Sequence, residues 1–224
     1  MLKGNTMNPE QDANYKVLHG SRLYGLSTTE SDIDYRGFMI QPFRSWIGLL
    51  KTSKFSKYTR MENNEDVIIW SFKKFAYLAA KGNPQCIEML YVPKDKIRCC
   101  DDFGQRVISV RDCFLSKNIY KPFRGYAESQ KGNKKWYTAA RLLYEGKRLL
   151  DGKPLVFPIP DPEHSLLKSI REGRYQDVER LVSIREAALE TAYKRSMLPD
   201  EPNYVMINQL LKEAFFRSLM EQQC

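Results

Sequence analysis

The apolar pattern of this 224-residue chain changes period once, near residue 71, and that change constrains the fold more than any other feature. Before it, short apolar runs with alternating character are punctuated by turn residues, which predicts strands at Tyr15–His19, Asp34–Ile40, Phe55–Thr59 and Asp66–Trp70. Glu62-Asn63-Asn64-Glu65 reads as the turn between the last two strands. Ser21–Ser31, rich in Gly, Ser and Thr, reads as a turn or short helix after the first. After residue 71 the spacing is helical: Phe72, Phe75, Ala76 and Ala79 share one face, and Gly82 can end that helix. Asn83-Pro84 then supplies an N-cap and a first-turn proline for a helix through Tyr91. Further helices are expected at Gln105–Ser116, Phe123–Gln130, Lys134–Leu150, Glu163–Glu172, Gln176–Ser196 and Asn203–Gln222. Asp151–Asp161, with three prolines, is read as a loop. The reading is an α+β chain: a small mixed sheet in residues 1–95, followed by a helical region in 96–224.

Composition narrows the function classes. With two histidines in the whole chain, His19 and His164, a multi-histidine zinc site is excluded. The five cysteines, Cys86, Cys99, Cys100, Cys113 and Cys224, form no CxxC pair and suit reduced thiols better than a disulfide framework. No run approaches the roughly 18 apolar residues of a membrane span, and Met1–Asp12 has no secretory apolar segment. A cytoplasmic protein with no membrane partner is expected. The net charge of +9 is unevenly spread: residues 71–150 carry 17 basic and 7 acidic side chains, and the flanking parts are nearly balanced. Such a field attracts phosphates, of a nucleotide or of a nucleic acid, unless it is simply a solvated helix face.

The chemistry concentrates in Gly20-Ser21-Arg22-Leu23-Tyr24-Gly25 and Ser31-Asp32-Ile33-Asp34. Alternation at the start of a strand sends Asp32 and Asp34 to one face, where two carboxylates repel unless a hard divalent cation joins them. A Gly-Ser turn after the preceding strand offers backbone N–H groups and a hydroxyl to phosphate oxygens. Strand, Gly-Ser, about ten residues, Ser-Asp-x-Asp and strand again is an order suited to metal-dependent phosphate chemistry.

That order resembles the active-site motif of the DNA polymerase beta superfamily of nucleotidyltransferases. The wider chain is similar to its branch associated with RNA ligases and RNA repair, through Gly20–Gly25, Ser31–Gly37, Asp66–Ser71, Lys74-Phe75, Gly82-Asn83-Pro84, Glu88–Leu90, Arg141–Leu143, Ile170–Gly173 and Leu198-Pro199. The resemblance implies a polymerase beta-like core and an NTP, ATP among the candidates, as substrate with Mg²⁺ or Mn²⁺. It implies that Asp32 and Asp34 hold the metal, and that a third carboxylate completes the site. Asp66, at the mouth of the apolar run Val67–Trp70, is the choice over Glu62 and Glu65. Ser21 and Gly20 would meet the triphosphate, with Ser31 and Arg22 beside them. Arg22 and Arg36 each face a choice between phosphate and an aspartate. Lys134, Lys135 and Arg141 resemble a basic helix of this branch, with Thr138 where a histidine is expected. Asn83 and Glu88 read more simply as an N-cap and a helix-face acid; Phe72, Phe75 and Trp136 as core; and Tyr24, Tyr35, Tyr126 or Tyr137 as candidates to stack a base. The expected activity is transfer of a nucleoside monophosphate to an acceptor hydroxyl, with an RNA 3′ end favoured by the basic middle third. AMP transfer to a protein or small molecule, and a silent RNA- or toxin-binding module, stand as alternatives.

Overall fold

The computed structural model describes residues 8–47, 56–132 and 135–221. Phe55, Lys134 and Cys224 lie outside the described residues. The sheet has five strands: β1 (Tyr15–His19), β2 (Ile33–Met39), β3 (Lys57–Glu62), β4 (Glu65–Ser71) and β5 (Ile97–Cys100), in the order β3-β4-β2-β1-β5. β2 and β4 run parallel, and the other neighbours are antiparallel. Asn63 and Asn64 both adopt positive φ, as a two-residue hairpin turn requires, so the expected turn is where the residues placed it. β5 was not foreseen: its four residues are too few to show a period, and it carries the sheet past residue 95.

Register sets the rows of side chains across the sheet. Tyr15, Phe38 and Trp70 are aligned across β1, β2 and β4, as are Val17, Arg36 and Ile68, and at the end His19, Asp34 and Asp66. These rows face the helices. Phe38 packs there against Phe72, Phe75 and Phe103, with ring centroids 4.6 to 6.4 Å apart. Among the described residues the opposite face carries a small cluster of Ala13, Met39, Val67 and Ile69, with Tyr35 and Tyr58 against it.

Among the described residues the α-helices are α1 (Gly20–Tyr24), α2 (Phe72–Ala80), α3 (Pro84–Met89), α4 (Asp102–Ser109), α5 (Tyr120–Gly132), α6 (Trp136–Leu150), α7 (Glu163–Arg171), α8 (Val178–Arg195) and α9 (Tyr204–Met220). Ser71 Oγ caps α2 by accepting from Lys74 N–H, and Asn83 Oδ1 caps α3 by accepting from Cys86 N–H. Gly82 turns the chain between them at φ +74°, and a β-carbon there would lie 2.7 Å from Ile119 Cα. The helix expected over 105–116 is instead α4 plus a short 3₁₀ turn, Arg111–Phe114. Asp101 is the stronger cap, its carboxylate accepting from Gly104 N–H at 2.7 Å, and Ser109 Oγ bonds back to the Arg106 carbonyl as the helix ends. One core cluster runs from Tyr15 and Phe38 through Phe123 and Leu143 to Leu210 and Ala214. The architecture is the expected α+β arrangement. No described helix is long and apolar enough to cross a membrane.

Candidate active site

The end of β1, the start of α1 and the start of β2 meet at a cleft of 560 Å³ whose far wall is built by α3, α5, α6 and α7. Gly20, Ser21, Ser31, Asp32, Asp34, Lys135 and Arg141 line it, so most of the candidate site residues are brought together. Gly20 has φ +63°, and a β-carbon there would meet Asp34 Oδ2. The glycine is therefore what lets the turn close over the carboxylate.

Asp66 stands beside Asp34 in the β2–β4 register, but its carboxylate is engaged from below. Arg36 Nη2 donates to Asp34 Oδ1 at 3.0 Å and to Asp66 Oδ2 at 2.7 Å, and Arg36 Nη1 donates to the carbonyls of Tyr35 and Asp66. Of the two partners open to Arg36, the structure shows the aspartates. Among the described residues no three acidic, histidine or cysteine side chains converge as a ready cation cage. The three acids occupy one region, with a guanidinium between two of them. Burial raises the pKa of Asp34; Arg36 and His19 oppose the rise, and the charges of Asp66 and Asp32 add to it. Asp32 and Asp34 offer the cleft hard carboxylate oxygens, the donors Mg²⁺ takes, and a cation there would relieve this crowding.

Arg22 does not reach the cleft. Its Nη2 donates to the Ser31 carbonyl at 2.9 Å and its Nε to the Asp32 carbonyl at 3.3 Å, bracing the loop that presents Asp32. Ser31 is buried, and its Oγ accepts from Thr28 N–H. Of the tyrosines, Tyr126 and Tyr137 line the cleft, Tyr35 lies on the other sheet face, and Tyr24 is buried in the floor.

That floor is a polar network which the residue pattern alone did not disclose. Glu88 accepts from Tyr24 Oη at 2.6 Å and from Arg141 Nη1 at 2.8 Å, and lies 3.1 Å from His19 Nε2, off line for a hydrogen bond. Arg141 also contacts both oxygens of Glu145, and its guanidinium lies 3.8 Å from the Tyr24 ring centre. Burial works to raise the pKa of Glu88, but Arg141 and His19 outweigh it and hold this carboxyl far below the usual range. For Glu145 burial wins over Arg141, and its pKa is pushed well up. Glu88 is thus the ionised partner of Arg141, and the charge of Arg141 is already matched within the floor. The buried side-chain nitrogens without a hydrogen-bond partner, among the described residues, are His19 Nε2, Arg36 Nε and Arg141 Nε. All three belong to side chains of this cleft. Buried orphan donors are rare in folded proteins and collect where a ligand, ion or water completes the site.

A sheet-and-helix core with paired aspartates at its strand ends and a Gly-Ser turn over them defines a polymerase beta-type nucleotidyltransferase architecture. The chain belongs to the RNA repair pathway DNA polymerase beta family, RlaP, whose model matches residues 8–201. It is also 35% identical over 123 residues to a protein of Enterobacteria phage T4, described as an uncharacterized 38.9 kDa protein in the nrdC-mobD intergenic region. That match takes in 51% of this chain and 36% of the phage protein, so the chain spans about a third of that relative's length.

Proposed function

We propose that this protein transfers a nucleoside monophosphate from an NTP to a hydroxyl at an RNA 3′ end. The observation that carries the reading is the convergence, in one cleft, of Asp32 and Asp34 with the Gly20-Ser21 turn, in a chain of the RNA repair family. The acceptor hydroxyl oxygen bonds to the α-phosphorus, the bond from that phosphorus to the bridging oxygen breaks, and pyrophosphate leaves. Bound at Asp32 and Asp34, a divalent ion would supply charge neutralisation for the triphosphate and the attacking oxygen.

The chain's own residues do the rest. Ser21 Oγ and the adjacent backbone N–H groups hold phosphate oxygens, and Gly20 permits their close approach. Lys135, on the cleft wall, meets the phosphate charge. Arg36 keeps the Asp34 and Asp66 carboxylates side by side, and the proton of the attacking hydroxyl passes to that pair. Arg141 serves the floor and orients Glu88, in place of the phosphate contact expected of it. An RNA acceptor is favoured by the family and by the excess of basic side chains in residues 71–150, of which Lys135 and Arg141 line the cleft.

The test is incubation with each labelled NTP, Mg²⁺ and a mixed pool of RNA, DNA and protein. Label in RNA, lost in Asp34→Ala, supports the reading. Label in protein would redirect it to protein modification, and tight RNA binding with no transfer would leave a binding module.

A further inference from the structure

Three consecutive backbone carbonyls at the end of α1, those of Tyr24, Gly25 and Leu26, are each met by a donor from one distant segment. The Ile159 N–H donates to the Tyr24 carbonyl at 3.3 Å, His164 Nε2 donates to that of Gly25 at 2.8 Å, and Arg171 Nη1 donates to that of Leu26. Helix ends leave carbonyls without intrahelical partners, and here the partners come from about 140 residues further along the chain. The Phe157 ring packs on Tyr24 with centroids 5.8 Å apart. Residues 157–171 therefore run as a strap along the connection between α1 and β2.

Arg171 is the point where the strap meets the cleft. Besides Leu26, its Nη2 reaches Ser31 Oγ at 3.4 Å, and its guanidinium lies 5.3 Å from the ring centre of Tyr137 on α6. It lines the cleft with Ser31 and Asp32. The strap is in turn anchored: Arg185 of α8 holds Glu163, at the start of α7, through two contacts of 2.6 and 2.9 Å, and donates to the Ala140 carbonyl of α6. We propose that Arg171 is a positioning residue: from the helical half of the molecule it fixes the loop that presents Asp32 to the cleft. This deepens the reading of nucleotidyl transfer and rests on it for its functional consequence. Its structural content does not depend on any reaction.

The experiment compares Arg171→Gln and Arg171→Lys with a control, Arg174→Gln, whose side chain is exposed and pairs with Glu172. Amide hydrogen exchange on the full chain reads the loop directly. In Arg171→Gln the amides of residues 27–32 should exchange about tenfold faster or more, with those of α6 unchanged. Mn²⁺ binding followed by its paramagnetic resonance should weaken, and kcat should fall by about tenfold to a hundredfold with KM for the NTP little altered. Arg171→Lys should recover part of each, since an ammonium can replace one of the two contacts. If circular dichroism shows that Arg171→Gln has lost helix, Arg171→Lys against the control carries the same comparison. Loop exchange and Mn²⁺ affinity indistinguishable from Arg174→Gln would overturn the proposal. If the wild type transfers no nucleotide, the reading of function fails. The exchange and Mn²⁺ data then still decide the placing of the loop.

Discussion

Gly20 and Asp34 are packed so closely that a β-carbon on the glycine would lie 1.9 Å from Asp34 Oδ2, and Gly20 is at φ +63°. Gly20→Ala must therefore displace the carboxylate and also accept a left-handed backbone costing about 1–2 kcal/mol. Transfer activity should be nearly abolished. Ser21→Ala, which removes one hydrogen bond to a charged group, should lose about 10- to 100-fold. Steady-state kinetics of the two variants, with melting curves alongside, check that order.

Asp34 gives the cation-free protein a pH dependence of defined sign. Its pKa is raised above the ordinary 3.8, first by burial. The folded state then binds the proton more tightly than the unfolded state. Its contribution to stability is most favourable below that value and is lost as pH rises through the folded pKa. In chelator-treated buffer the wild type should lose stability relative to Asp34→Asn as pH climbs from about 4 towards neutrality, while the variant is inactive by at least about 10²-fold. A difference in Tm that does not vary with pH would contradict the assignment.

The cleft floor separates two buried glutamates that look alike in sequence. Arg141→Met would strand ionised Glu88 without its cation, and breaking a buried pair in this way costs about 3–5 kcal/mol. For a domain of this size Tm should drop by roughly 6–20 °C. Glu145→Gln should cost less than Arg141→Met, because burial raises the pKa of Glu145 and so lowers what its charge contributes. Chemical denaturation of both variants decides it.

RNA binding should weaken linearly in a plot of log affinity against log salt, with a slope of about −0.7 per phosphate neutralised on a single strand. Lys135→Ala, on the cleft wall, should reduce that slope by about 0.7. A flat salt dependence would argue for a small acceptor in place of RNA.

Much of this architecture was legible because it depends on neighbours in sequence. The bounds of β1 matched, and the asparagine turn, the Gly82 stop and the Asn83 cap were each read from a few residues. Alternation at Asp32 and Asp34 correctly sent both to the cleft. What escaped depends on partners far along the chain. Glu88 reads as an ordinary helix acid because its partners Tyr24 and Arg141 lie 64 and 53 residues away. Arg141 was expected to serve a ligand, yet Glu88 and Glu145 already engage it; Arg22 was expected at phosphate or at an aspartate side chain, yet it braces the Ser31 and Asp32 carbonyls. Spacing tells which face a side chain takes and is silent on who waits there.

The strap over Tyr24, Gly25 and Leu26 has a consequence during synthesis. A growing chain emits its paired aspartates early, and at about 5–20 residues per second the arginine that steadies their loop follows roughly ten seconds later. Until then the nascent polypeptide carries the acids without the brace, so the loop is steadied only once the chain has grown past Arg171.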